Sequence, residues 1–233
     1  MSSRNSLENS FFKEVEKSKK LEIVGELAAG IVHEIRNSLT SILGFVQLLE
    51  QGSIKQDYFN HIHSSFNDIE EYLKDLLIIA KPQPIERKEV NIQLLIEKVI
   101  EIIKQKENFN NIHFYEEYES HIPYLFCDAE QIKIVLKHLV TNSIEALPNG
   151  GMVSVVARKE DSNLVIKVSD NGIGMSKERL AKLGEPFFSF KEKGTGIGLM
   201  VCYRIIWQYN GSIIVVSEEN KGTTVEVRLP FSA

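Results

Sequence analysis

No proline precedes Pro82, and across the residues before it apolar side chains recur at helical spacing. Leu21, Val24, Ala28, Ile31, Ile35, Ile42, Phe45 and Leu49 follow the 3-4 rhythm of a packed helix. Gln51-Gly52-Ser53 stops that run, with Gly52 suited to a left-handed cap. A second run carries Tyr58, Ile62, Ile69, Tyr72, Leu76 and Ile79, widened by Phe59, Phe66 and Leu73. Two such helices with a short loop make a hairpin, and one hairpin cannot cover both stripes. Pairing with a second copy into a four-helix bundle covers them, so a homodimer is expected.

Lys81-Pro82-Gln83-Pro84 ends the helical stretch and marks a domain boundary. The expected organisation is an extension over 1–20, a helical domain over 21–81 and a second domain over 82–233. In the latter, Asn91 is placed to cap a helix reaching about Lys106, and strands are expected at Ile112–Tyr118 and Tyr124–Cys127. Asp128 with Gln131 forms a capping-box pattern for a helix to about Ala146. Strands follow at Met152–Arg158 and Leu164–Ser169, then a helix over Ile197–Tyr209. A closing hairpin, Ser212–Ser217 with Thr223–Leu229, turns near Asn220-Lys221-Gly222. One sheet under about three helices is an α+β two-layer sandwich. Trp207 and Tyr209 are expected to pack the last helix on the sheet.

A net charge of −5, with the charges interleaved, advertises no surface for nucleic acid or anionic lipid. Cys127 and Cys202 sit in apolar runs and read as buried reduced thiols. No apolar stretch reaches the roughly 20 residues of a membrane span, and the N-terminus lacks a signal-peptide core. A cytoplasmic chain without membrane contact is expected, or the cytoplasmic part of a longer membrane-bound sensor.

Four segments carry chemistry. Heptad counting from Ala28 puts His33 farthest from the seam, facing water, with Glu34 beside it to accept the Nδ1 proton and Asn37 one turn on. On periodicity alone, an ordinary surface histidine reads the same way. Asp170-Asn171-Gly172-Ile173-Gly174-Met175 ends a strand with a carboxylate and glycines that let backbone approach a ligand. Gly194-Thr195-Gly196-Ile197-Gly198-Leu199 opens a helix, whose N-terminal amides suit a phosphate. It lacks both the βαβ context of a dinucleotide fingerprint and a Walker lysine. Asn142, with Glu145 a turn later, offers an oxygen to Mg²⁺ or stands as a plain helix-surface amide.

In series these segments resemble the bacterial sensor histidine kinases of two-component systems, in the sporulation and nitrogen-regulation style. His33-Glu34-Ile35-Arg36-Asn37 resembles the H-box and Asn142 with its neighbours the N-box. Asp170 to Met175 resembles the G1 box, Glu185-Pro186-Phe187-Phe188 the F-box, and Gly194 to Leu199 the G2 box. The resemblance covers about Leu21 to Pro230. It implies a dimerisation and histidine-phosphotransfer bundle followed by a Bergerat (GHKL) ATP-binding domain. It further implies ATP-dependent autophosphorylation on His33 and transfer to an aspartate in the receiver domain of a response regulator, with phosphatase activity towards that regulator.

Carried over by position, His33 is the phosphoacceptor, Glu34 its general base, and Asn37 the group that orients phosphoryl or water. Asn142 holds Mg²⁺ and Asp170 reads the adenine amino group. Gly172 and Gly174 shape the pocket floor. Gly194, Thr195, Gly196, Gly198 and Leu199 flank the phosphates, and Lys191 contacts the γ-phosphate. Two residues depart from the pattern: Ser38 replaces a proline that bends the helix, and His138 replaces the first N-box asparagine. Two other classes remain open: a phosphotransfer scaffold that no longer binds ATP, and another Bergerat-fold ATPase. Intact Asn142, Asp170 and G1 glycines oppose the first; the histidine hairpin opposes the second.

Overall fold

A computed structural model describes residues 30–80, 85–106, 111–181, 183 and 197–231. The chain divides into two compact units, the second made of Gln83–Glu185 and Gly198–Ala233, each with its own set of buried side chains.

The first unit holds helix α1, described over 30–50, and helix α2, Gln56–Ala80. At the end of α1, Gly52 adopts φ +82°. Its N–H donates to the Leu49 carbonyl (3.0 Å) and the Ser53 N–H to the Leu48 carbonyl (3.1 Å). These two bonds satisfy the orphan carbonyls of the last turn in a Schellman arrangement, the role expected of Gly52. Ile31, Ile42, Ile78 and Ile79 are buried. Around the turn, Phe45 stacks on the His61 ring (centroids 4.8 Å apart) and tilts against Tyr58 (5.4 Å). Helix α1 runs unbroken through Ser38. A second apolar row stays exposed in the single chain: Val32, Leu39 and Leu43 on α1, Phe59, Phe66, Leu73 and Leu77 on α2.

The second unit begins with strand β1 (Lys88–Val90), helix α3 (Ile92–Lys106), strand β2 (Ile112–Tyr118), strand β3 (Leu125–Cys127) and helix α4 (Ala129–Glu145). Strands β4 (Gly151–Glu160) and β5 (Asn163–Asp170), helices α5 (Lys177–Ala181) and α6 (Gly198–Gln208), and strands β6 (Ser212–Glu218) and β7 (Gly222–Pro230) follow. The five-stranded sheet has the order β2-β4-β5-β7-β6, with β2 parallel to β4 and the other pairs antiparallel. Strands β1 and β3 form a separate two-stranded ribbon.

Local chemistry sets the helix starts. The Asn91 side chain accepts the Leu94 N–H (3.1 Å). Asp128 caps α4 by accepting from Glu130 and Gln131 (3.0 and 3.4 Å), which satisfies two orphan donors. Helices α3, α4 and α6 lie on one face of the sheet. Their buried rows (Ile96 and Ile100; Leu136 and Val140; Val201 and Ile205) pack with Val155, Ile166 and Val227. Each such side chain contributes about 1.5–3 kcal/mol on full burial. The opposite face mixes a charged cluster with exposed apolar side chains such as Ile214 and Val216. There Glu226 pairs with Lys167 (2.6 Å) and Arg228, and Arg228 reaches Glu160 (3.0 Å).

Both cysteines are buried and neither forms a disulfide, and burial pushes the Cys127 thiol up to about 12. Tyr209 is buried: its hydroxyl donates to Gln131 Oε1 (2.9 Å) and accepts the Asp128 N–H (3.0 Å). Trp207 corrects the expectation for the last helix. It is 70% exposed, because the buried stripe of α6 runs through Val201, Cys202, Ile205 and Ile206 and leaves position 207 on the outer side. Strand β1 and the short α5 escape periodicity, since neither is long enough to show a repeat.

Gly222 has φ +97°, and a Cβ there would lie 1.9 Å from the Asp170 carbonyl oxygen. Gly222→Ala is expected to lower stability by more than about 1 kcal/mol, read as a fall in the urea midpoint. An unchanged midpoint would mean that the β7 start relaxes away from β5.

Candidate functional site

On α1, His33 and Asn37 are exposed and Glu34 is half-buried. The Asn37 amide lies 3.2 Å from His33 Nδ1, the i,i+4 contact expected on one helix face. With the amide nitrogen donating, Nδ1 is the acceptor and the ring proton sits on Nε2. Glu34 can accept an Nδ1 proton only in the other tautomer, reached when Asn37 releases that nitrogen and the ring proton moves from Nε2 to Nδ1.

The second cluster forms where β5 ends. Strand pairing carries β5 to Asp170, whose Oδ1 accepts the Gly172 N–H (2.9 Å) and the Thr223 N–H (3.2 Å). The Ser143 hydroxyl of α4 bonds to the same carboxylate. Burial nevertheless raises the Asp170 pKa above the ordinary aspartate value, with the three hydrogen bonds opposing it.

The following loop is locked by backbone. The Ile173 N–H donates to the Ala146 carbonyl (3.0 Å), and the Asn220 N–H donates to the Ile173 carbonyl (2.7 Å). Any Cβ on Gly172 would stand 2.1 Å from the Ala146 oxygen. Gly174 has φ +59°, and a Cβ there would meet the Glu218 oxygen at 2.0 Å. Asn171 Oδ1 accepts the Met152 N–H (2.8 Å) and ties the loop to the start of β4.

Helix α4 presents the other groups. Asn142 and Glu145 are exposed, and Ala146 caps the helix where the loop docks. His138, one turn before Asn142, is half-buried, and its Nδ1 lies 2.9 Å from where a Cβ on Gly198 would be. Gly198 therefore opens α6 against the His138 ring, and Leu199 follows half-buried. Asp170, Gly172, Gly174 and the C-terminal part of α4 thus come together, and His138 meets the start of α6. Lys191, Gly194, Thr195 and Gly196, with the F-box, lie outside the described residues.

The cluster also contains residues that motif spacing did not single out: Ser143, Asn171, Thr223 and Gly222. Ser143 did leave a signal. It continues the buried stripe of α4 at i+4 from Leu139, so it is a polar side chain on an apolar row. Among the described residues, no group of three His, Cys, Asp or Glu side chains is arranged to hold a metal ion. Asn142 offers one exposed oxygen, which suits Mg²⁺ only where substrate phosphates complete the shell.

A carboxyl with a raised folded-state pKa adds stability below its unfolded pKa and loses it as pH rises through the folded value. Asp170→Asn removes that loss. Urea midpoints from pH 4 to pH 7 are expected to shift in favour of the variant as pH rises. A gap that moves the other way would mean the hydrogen bonds outweigh burial.

Two family models match the chain. "His Kinase A (phospho-acceptor) domain" covers residues 23–85, and "Histidine kinase-, DNA gyrase B-, and HSP90-like ATPase" covers residues 127–233. Sporulation kinase E of Bacillus subtilis is 40% identical over 97% of this chain and 33% of its own length. Sporulation kinase C of the same organism is 39% identical over 93% of this chain and 51% of its own. The chain thus spans between a third and about half of these curated relatives. Among solved structures, histidine kinase ThkA in complex with response regulator protein TrrA is 27% identical with a TM-score of 0.71, covering 96% of this chain and 66% of that one. The phospho-acceptor helices followed by a GHKL-type ATPase domain with a mixed sheet place this chain in the family of bacterial sensor histidine kinases.

Proposed function

We propose that the chain transfers the γ-phosphoryl group of ATP to His33 and passes it to an aspartate on a response regulator. The observation that carries this is His33 itself, exposed on α1 within the phospho-acceptor match and followed in the same chain by an ATPase-type module. The division proposed is 1–20 as an extension, 21–81 as the dimerisation and phosphotransfer domain, and 82–233 as the catalytic domain. The phosphorylating unit is a homodimer, supported by the exposed row from Val32 to Leu77, which a second hairpin would cover. A cytoplasmic location is proposed with it; among the described residues, no helix is long and apolar enough to cross a membrane.

In the proposed step, Glu34 accepts the Nδ1 proton while the Nε2 lone pair attacks the γ-phosphorus. The bond to the β–γ bridging oxygen breaks, and ADP leaves with its electron pair. Asp170 accepts a hydrogen bond from the adenine amino group, and Gly172 and Gly174 leave room at the pocket floor. Asn142 is the side chain that would hold Mg²⁺ against the phosphates, where the ion neutralises charge. The start of α6, with Gly198 and Leu199, faces the phosphates; Gly194, Thr195, Gly196 and Lys191 complete that part of the site in this proposal. Asn37, already at the His33 ring, orients water when the phosphorylated regulator is hydrolysed.

Incubation with γ-labelled ATP and Mg²⁺ is expected to give acid-labile label that His33→Ala abolishes with ATP affinity unchanged. Label that survives in the variant would move the acceptor elsewhere. Asn37→Ala is expected to lose regulator phosphatase activity by about 10²-fold or more, the scale of a positioned proton-transfer or orienting group. Full activity in that variant would remove Asn37 from water positioning.

A further inference from the structure

Three contacts set the register of α6 on α4. Just past the C-terminal end of α6, the Tyr209 hydroxyl donates to Gln131 Oε1 (2.9 Å). In the middle of α6, the buried Cys202 thiol donates to the Val135 carbonyl (3.8 Å). At the start of α6, Gly198 lies against the His138 ring: a Cβ there would stand 2.9 Å from Nδ1, 3.3 Å from Cγ and 3.5 Å from Cε1. Residue numbers rise along α6 as they fall along α4, so the two helices run in opposite directions.

The first two contacts are hydrogen bonds, and the third is steric. Any side chain at position 198 would displace the ring or the helix start, so glycine lets the backbone itself rest on the imidazole. Ile197 and Val201, both buried, hold the same segment from the core side. The first turn of α6 carries N–H groups with no partner inside the helix, the donors proposed above to face the phosphates. We propose that His138 is a positioning residue for the ATP phosphates: its ring is the stop against which Gly198 rests, and it thereby fixes where those N–H groups stand. This rests on the reading that the start of α6 faces the phosphates. His138 acts through contact of ring and backbone, not through a bond from imidazole to phosphate.

The ratio of ATP to adenosine affinity, measured by titration calorimetry on the full chain with Mg²⁺, isolates the share of binding due to the phosphates. His138→Ala is expected to lower this ratio by about tenfold, within the range of an anion at a helix N-terminus, with adenosine affinity unchanged. Gly198→Ala, which crowds the same contact, is expected to lower the ratio as well, and the double variant to do no worse than either alone. His138→Phe keeps a ring against Gly198 without its nitrogens and is expected to keep the wild-type ratio. Losses that add in the double variant, or a loss in His138→Phe equal to that in His138→Ala, overturn the proposal. An unchanged ratio in His138→Ala also overturns it and leaves His138 a packing residue. A wild-type chain that binds ATP no tighter than adenosine removes the phosphates from α6, and the underlying reading fails with it.

Discussion

The close approach of three backbone segments at the end of α4 is the constraint on which the second unit turns. The Ala146 carbonyl accepts the Ile173 N–H, and the Ile173 carbonyl accepts from Asn220 in the β6–β7 turn. Helix, loop and hairpin meet there with no room for a Cβ on Gly172, Gly174 or Gly222. Because β5 delivers Asp170 into this junction, its carboxylate inherits two backbone donors at fixed positions. A side chain so held loses little further entropy when it meets a ligand, which is how a scaffold pre-organises a recognition group.

Helix α4 links this junction to the rest of the site by its own periodicity. Its buried stripe carries Leu136, Leu139, Val140 and Ser143, so Ser143 faces Asp170 while Asn142, its neighbour, faces outward. His138, one turn back, faces the start of α6 and explains why Gly198 stands there. His138 and Ser143 lie under two turns apart along α4 at a rise of about 1.5 Å per residue. One element therefore faces both the Asp170 loop and the start of α6. In the hairpin the same periodicity turns His33 to solvent and leaves an apolar row from Val32 to Leu77 that a single copy does not cover.

Much of this is legible in the residues themselves. Helix caps at Asn91 and Asp128 follow from side chains that bond their own backbone two or three residues on, a local effect. The Gly52 turn and the β6–β7 hairpin are local for the same reason. Trp207 was misplaced because the buried stripe of α6 is set by which side meets the sheet, and both sides of that helix carry large apolar residues.

What the sequence determined by itself was the order of the longer elements, the exposure of His33 and the identity of the glycine-rich segments, since these depend on spacing and backbone preference over a few residues. Tertiary structure alone decided that β2 runs parallel to β4, that His138 lies against Gly198, and that Ser143 bonds Asp170. The members of each of these pairs are more than 25 residues apart in the chain. Their meeting depends on how helices and strands pack over the whole sheet, a property that no local pattern of residue types encodes.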